Sequence, residues 1–166
     1  MKFTEVSQTQ ALSDLAHSSQ FTAFVEMRQS LPSRVEAISP FVDHLMGVIK
    51  RFRNADGSEL DIEIAVREAL TNAVVHGNRE NPKTRVYVTY RCSADGEVLI
   101  TVRDQGLGFN YLMLPDPTAP WNRLSPNGRG VYLMRAFMDE VHFKEGGSVV
   151  TMRKLPNGGP HNGAGK

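Results

Sequence analysis

The stretch Ser58–His76 limits the fold more than any other part of the chain. At 100° per residue, Ile62, Val66, Ala69, Leu70 and Ala73 share one stripe, which needs an apolar layer to lie on. Ser58 stands where an N-cap is needed, with Asp61 three residues on as an imperfect capping-box partner. Glu59, Asp61 and Glu63 put negative charge in the first turns, where the helix dipole favours it. Gly77 and Asn78 supply the stop, and Pro82 follows. The prediction is a helix laid against a sheet. Glu63, Arg67 and Thr71 take an outer face, while Glu68, Asn72 and His76 recur at i, i+4 and i+8 beside Ile64, Ala65 and Val75. Polar and apolar residues mixed on one strip suit a pocket wall. Taken alone, such a strip is more often ordinary polar surface.

The flanking segments supply the sheet. Phe21–Arg28 reads as a strand, and Arg34–Phe52 as a helix with apolar residues at Val35, Ile38, Val42, Leu45, Met46 and Ile49. Pro40 either kinks that helix or marks its true start. Lys83–Arg91 and Val98–Arg103 read as strands joined by the Asp95-Gly96 turn. Asn110–Asn127 is a long aperiodic loop with four prolines, the kind of connection that is usually functional or mobile. A helix over Arg129–Met138 follows, then strands at Val141–Lys144 and Ser148–Arg153 hinged at Gly146-Gly147. The expected class is α+β: a two-layer sandwich with one mixed, mostly antiparallel sheet and helices on one face. Residues 21–155 form the expected domain, between a polar extension at 1–20 and a disordered Gly-rich tail at 156–166.

At 166 residues, with 40% hydrophobic and 22% charged content, the chain can bury a sizeable core. A net charge of +1 argues against a nucleic-acid or membrane-surface partner, and Arg51-Phe-Arg53 is too short a cluster to change that. Cys92 is the single cysteine and reads as a bystander near a strand end. No stretch approaches the ~18 apolar residues of a membrane span, and the N-terminus lacks the apolar core of a signal peptide. A cytoplasmic protein is expected.

Four short segments carry the chemistry: Glu68-Ala-Leu-Thr-Asn72, Asp104-Gln-Gly106-Leu-Gly108-Phe109, Gly128-Arg-Gly130 and Gly146-Gly-Ser-Val-Val150. The amide oxygen of Asn72 is a hard neutral ligand suited to Mg²⁺ that already bridges nucleotide phosphates. The Glu68 carboxylate, one turn earlier, can accept a hydroxyl proton and orient that oxygen for attack. His76 is read either as a site residue or as a helix-end structural one. An ionised Asp104 only accepts, which suits an exocyclic adenine amine, and Gly106 and Gly108 permit close approach to the base. Alone, the segment could be an ordinary Asp-x-Gly turn. Gly128, Arg129 and Gly130 open a helix whose bare amides can bind phosphate, or they form a hinge with a capping glycine. Neither a P-loop nor a Rossmann fingerprint is present: there is no Gly-x-x-x-x-Gly-Lys-Ser/Thr string, and Leu133 fills the third glycine position. Leu133, Met134, Phe137 and Met138 read as a core stripe. Trp121 lies in the proline-rich loop, and His161 stands alone in the tail.

With these residues laid out, the chain resembles the histidine-kinase-like (GHKL) ATPase superfamily over Phe21–Leu155, and within it the bacterial anti-sigma factor serine-protein kinases. Glu68-x-x-x-Asn72 matches the family's N box, and Asp104-x-Gly106-x-Gly108-Phe109 its G1 box. Gly128-Arg-Gly-Val-Tyr-Leu-Met-Arg-Ala-Phe-Met-Asp-Glu-Val141 matches its G2 segment, and Gly146-Gly-Ser-Val-Val150 its closing strand. The resemblance implies the two-layer fold of that superfamily, with ATP and Mg²⁺ as cofactors. It further implies Asn72 on the metal, Asp104 on adenine, and His76, Gly106, Gly108, Phe109, Gly128, Arg129, Gly130 and Val131 around the nucleotide. Glu68 would be the catalytic base. The implied substrate is a serine or threonine of an anti-sigma factor antagonist protein with a STAS domain. A sigma factor or another regulatory target is the implied second partner, with a homodimer possible.

Three other functions fit parts of the pattern. A non-catalytic module could use ATP to order the Asn110–Asn127 loop and so sequester a protein partner. An orphaned histidine-kinase catalytic domain lacks room for a phosphoacceptor hairpin, and His17 sits in no phosphoacceptor context. A DNA-topology or mismatch-repair ATPase needs a further transducer domain.

Overall fold

The computed structural model describes residues 23–53, 57–108 and 129–156. The Asn110–Asn127 loop with Trp121, both terminal extensions with His17 and His161, and the site candidates Phe109 and Gly128 lie outside the described residues.

In chain order the elements are β1 (Phe24–Pro32), a 3-10 turn (Val35–Ala37), α1 (Ile38–Phe52) and α2 (Glu59–Thr71). A π-helical turn (Asn72–Gly77) continues α2, followed by β2 (Arg85–Ser93) and β3 (Val98–Arg103). The chain then forms α3 (Arg129–Phe137), β4 (Glu140–Lys144), a second 3-10 turn (Glu145–Gly147) and β5 (Val149–Lys154). The sheet order is β1-β2-β3-β5-β4, and all four pairings are antiparallel. The architecture is therefore α+β, and the sheet expected to be mostly antiparallel is antiparallel at every described pairing.

Period-2 alternation builds the layer. Val86, Val88, Tyr90 and Cys92 of β2 point to one face and are at most 1% exposed, while Tyr87, between them, is 44% exposed. Val98, Ile100 and Val102 of β3 and Val150 and Met152 of β5 join the same interior face. Against it lie Ile62, Val66, Ala69 and Leu70 of α2 with Ala73, the predicted stripe, all buried. Full burial of a Val, Ile or Leu side chain contributes ~1.5–3 kcal/mol, so this stripe is the main hold of α2 on the sheet. α1 adds Val42, Leu45, Met46 and Ile49. The opposite face of the sheet is polar. There Thr101 and Thr151 meet across strands at 3.1 Å, and Arg91 lies 4.8 Å from the centre of the Phe24 ring.

The structure revises or settles several local expectations. The first strand runs to Pro32 instead of ending at Arg28, because Gln29, Ser30, Leu31 and Pro32 keep pairing with Val88, Tyr87, Val86 and Arg85. Proline is tolerated there because β1 is an edge strand. Pro40 belongs to the start of a helix, sitting in the first turn of α1, where its missing N–H costs nothing. Ser58 does not cap α2 with its side chain. It has φ −84 and ψ −4, outside the extended geometry of a capping residue, and its backbone carbonyl instead accepts from Ile62 N at 3.1 Å. Cys92 is buried, and desolvation pushes its thiol pKa up to about 11, so it stays protonated. No helix among the described residues is long and apolar enough to cross a membrane.

Candidate functional site

α2 brings two polar groups to the front of its buried stripe. Glu68 and Asn72 are half-buried and one turn apart, and neither side chain has a hydrogen-bond or ion-pair partner among the described residues. Both face the first turn of α3. A Cβ placed on Gly130 would lie 2.7 Å from Glu68 Oε2, 3.3 Å from Asn72 Nδ2 and 3.5 Å from Asn72 Oδ1. A side chain at this position would push the Glu68 carboxylate aside.

The strip ends at Asn72. From there the helix widens into a π turn, closed by Asn78 N to Ala73 O at 2.8 Å, five residues back. The wider turn advances fewer degrees per residue than an α-helix, so His76 does not continue the line of Glu68 and Asn72 and stands exposed. Such one-turn widenings concentrate at functional sites.

Asp104 follows the last residue of β3, and its backbone is held by Asp104 N donating to Ser148 O at 3.0 Å. Its Oδ1 accepts Gly106 N at 2.7 Å, leaving Oδ2 without a partner among the described residues. The carboxylate lies flat against Gly77, where a Cβ would sit 2.5 Å from Oδ2 and 2.7 Å from Oδ1. Gly106 in turn presses on the Gly77 carbonyl too closely for any side chain. Burial raises the Asp104 pKa from its ordinary value, while the Gly106 amide and then the Arg103 charge oppose that shift. One step on, Gly108 has φ +75 and packs on the Gly146 carbonyl, tying this loop to the turn before β5.

Between these two ends lies a cleft of about 260 Å³, open solvent included, lined by Ala69, Asn72, Asp104, Met134, Phe143, Ser148 and their neighbours. Its lining is mostly apolar, with Asn72, Asp104 and Ser148 as its polar side chains, a composition that suits a flat base. No cluster of three or more His, Cys, Asp or Glu suited to a metal occurs among the described residues. A metal held by Asn72 would therefore take most of its ligands from phosphate oxygens and water, as Mg²⁺ commonly does. The donor set fits Mg·ATP.

Arg129 is exposed at the start of α3, and the Val131 side chain belongs to the core, so only the Val131 backbone could meet a phosphate. Of the expected core stripe, Met134 and Met138 are buried while Leu133 and Phe137 are only half-buried, and Met134 also lines the cleft. Three contributors escaped sequence reading. Gly77 and Asn78 looked like a plain helix stop, and Ser148 like the start of a strand. Their roles depend on partners 27 to 44 residues away (Gly77 to Asp104 is 27, Asn78 to Gln105 is 27, Ser148 to Asp104 is 44), and no local pattern reports such contacts.

Residues 31–154 match the histidine kinase-like ATPase domain family. The serine-protein kinases RsbW of Staphylococcus aureus strains JH9, Newman and JH1 are each 32% identical over 138 residues, covering 79% of this chain and 86% of theirs.

Proposed function

The chain belongs to the histidine kinase-like ATPase domain family, and from that premise we propose that it is an ATP-dependent serine/threonine protein kinase and anti-sigma factor. Its substrate is an anti-sigma factor antagonist protein of the STAS type, in a partner-switching system acting in the cytoplasm. A sigma factor or other regulatory target is the second partner. The observation that carries this reading is the shared approach of Glu68 and Asn72 to Gly130, with no partner among the described residues to occupy either side chain.

In this reading Asp104 accepts from the adenine amine through its free oxygen, and the first turn of α3 presents backbone amides to the phosphates. Asn72 would hold Mg²⁺, which when bound neutralises charge on the transferring phosphate. Glu68 takes the proton from the substrate hydroxyl. The hydroxyl oxygen then forms its bond to the γ-phosphorus, the bond from that phosphorus to the bridging oxygen breaks, and ADP departs with the electron pair.

The test is phosphotransfer from Mg·ATP to a panel of STAS-domain proteins from the same genome, followed by intact mass. Glu68→Gln should bind ATP as the wild type does and transfer phosphate ~10²–10⁴-fold more slowly. Equal transfer by both would remove Glu68 from the mechanism. ATP-dependent complex formation with no phosphate on any partner would favour the non-catalytic binding module.

A further inference from the structure

Asn78 is buried, 5% exposed, at the point where the π turn ends. Each polar atom of its side chain has a partner. Nδ2 donates to Ser33 Oγ at 2.7 Å and to Arg85 O at 3.0 Å, and Oδ1 accepts from Gln105 N at 2.7 Å. The orientation of this amide is forced. A backbone N–H needs the oxygen on one side, and a backbone carbonyl needs the nitrogen on the other. Gln105, the residue beside Asp104, is held a second time by its own side chain, whose Oε1 accepts Arg85 N at 2.7 Å.

The backbone amides of residues 104, 105 and 106 therefore all have acceptors: Ser148 O, Asn78 Oδ1 and Asp104 Oδ1. Only the middle one comes from the helix that carries Glu68 and Asn72. Asn78 also closes the π turn with its own backbone N–H to Ala73 O. One residue thus ends the segment that begins at Asn72 and holds the loop that carries Asp104.

We propose that Asn78 is a positioning residue for base recognition, setting the Asp104 carboxylate for the adenine amine through its amide bond to Gln105 N. It touches neither nucleotide nor metal in this account. The inference rests on the reading of Asp104 as the adenine acceptor, and it goes further by assigning the discrimination of the base to a residue behind the site.

The experiment uses the full chain and two ligands with Mg²⁺: ATP, and purine riboside triphosphate, which lacks the 6-amino group. Affinities are measured by calorimetry for wild type, Asn78→Ala and Asp104→Asn. Wild type should prefer ATP by ~10–100-fold, the worth of a hydrogen bond to a charged group. Asn78→Ala should lose ~10-fold or more of its ATP affinity, while its affinity for the analogue stays within about twofold of wild type. If Asn78→Ala weakens both ligands by one common factor, Asn78 is merely structural and the proposal is overturned. If wild type shows no preference and Asp104→Asn binds ATP normally, the reading of Asp104 fails and takes the proposal with it. Should Asn78→Ala not fold, Ser33→Ala removes one of the two acceptors that hold the amide in place. It should reduce the preference for ATP ~2–10-fold, the range for a neutral hydrogen bond, and an unchanged preference in that variant overturns the proposal.

Discussion

Asp104, the proposed adenine acceptor, works against the fold that carries it. Burial raises its pKa, so the folded state holds the proton more tightly than the unfolded chain does. The sign follows directly. Below the ordinary carboxylate pKa both states are neutral and nothing is lost. As pH rises past that ordinary value the unfolded chain ionises first and stability begins to fall, and the cost is fully present once pH has passed the raised folded pKa. Asp104→Asn keeps an oxygen for Gly106 N and removes the charge. The unliganded variant should therefore melt above wild type at pH 7, with the difference closing toward pH ~4, while ATP affinity falls ~10–100-fold. Thermal unfolding over a pH series checks the first half, and a variant that melts lower at every pH would contradict it. At this scale the sequence singled out the candidate groups and was silent about what holds them. Glu68, Asn72 and Asp104 were legible because their chemistry suits a nucleotide. Gly77 and Asn78 were not, because their roles lie in contacts with Asp104 and Gln105 far along the chain.

Among the elements, α1 and α2 were legible from their apolar spacing, and the β2–β3 hairpin from its Asp95-Gly96 turn. Gly96 has φ +94 and donates to Ser93 O at 2.9 Å. The π turn was not legible. A 3.6-residue wheel assumes uniform winding, and Asn72-Ala-Val-Val-His-Gly77 contains nothing that announces an extra residue per turn. The turn is closed by Asn78 N donating to Ala73 O, a contact no periodicity reports. α1 carries a different local inconsistency. Gly47 sits mid-helix on the exposed side, and a Cβ there meets nothing within 4 Å. Gly47→Ala should stabilise the protein by ~0.5–1 kcal/mol through the entropy of the unfolded chain. Urea unfolding should show a higher midpoint with an unchanged slope. A lower midpoint would mean that something outside the described residues needs that space.

For the whole molecule, Arg53 joins what the sheet leaves apart. It is 4% exposed at the end of α1, and Nη1 donates to Gly96 O at 2.6 Å while both terminal nitrogens reach Leu155 O at 3.1 Å. A charge that looked like part of a short surface cluster is a clamp between the helical layer, the hairpin turn and the end of β5. Arg53→Met keeps a stem of similar shape and leaves both carbonyls without this donor. The expected cost is ~2–3 kcal/mol, or about 5–10 °C in Tm for a chain of this size. No change in Tm would mean that water replaces the guanidinium at little cost. The place of β5 has a consequence for how the molecule comes into being. β5 is last of the strands in sequence and lies between β3 and β4, and the residue just before it, Ser148, supplies the carbonyl that fixes Asp104. On the ribosome, β4 has no strand neighbour and the Asp104 N–H no acceptor from Ser148 until the final strand emerges and slots inward. A chain arrested short of Val149 carries Glu68, Asn72 and Asp104 in full yet has no assembled cleft, so ligand binding reports that synthesis has passed this point.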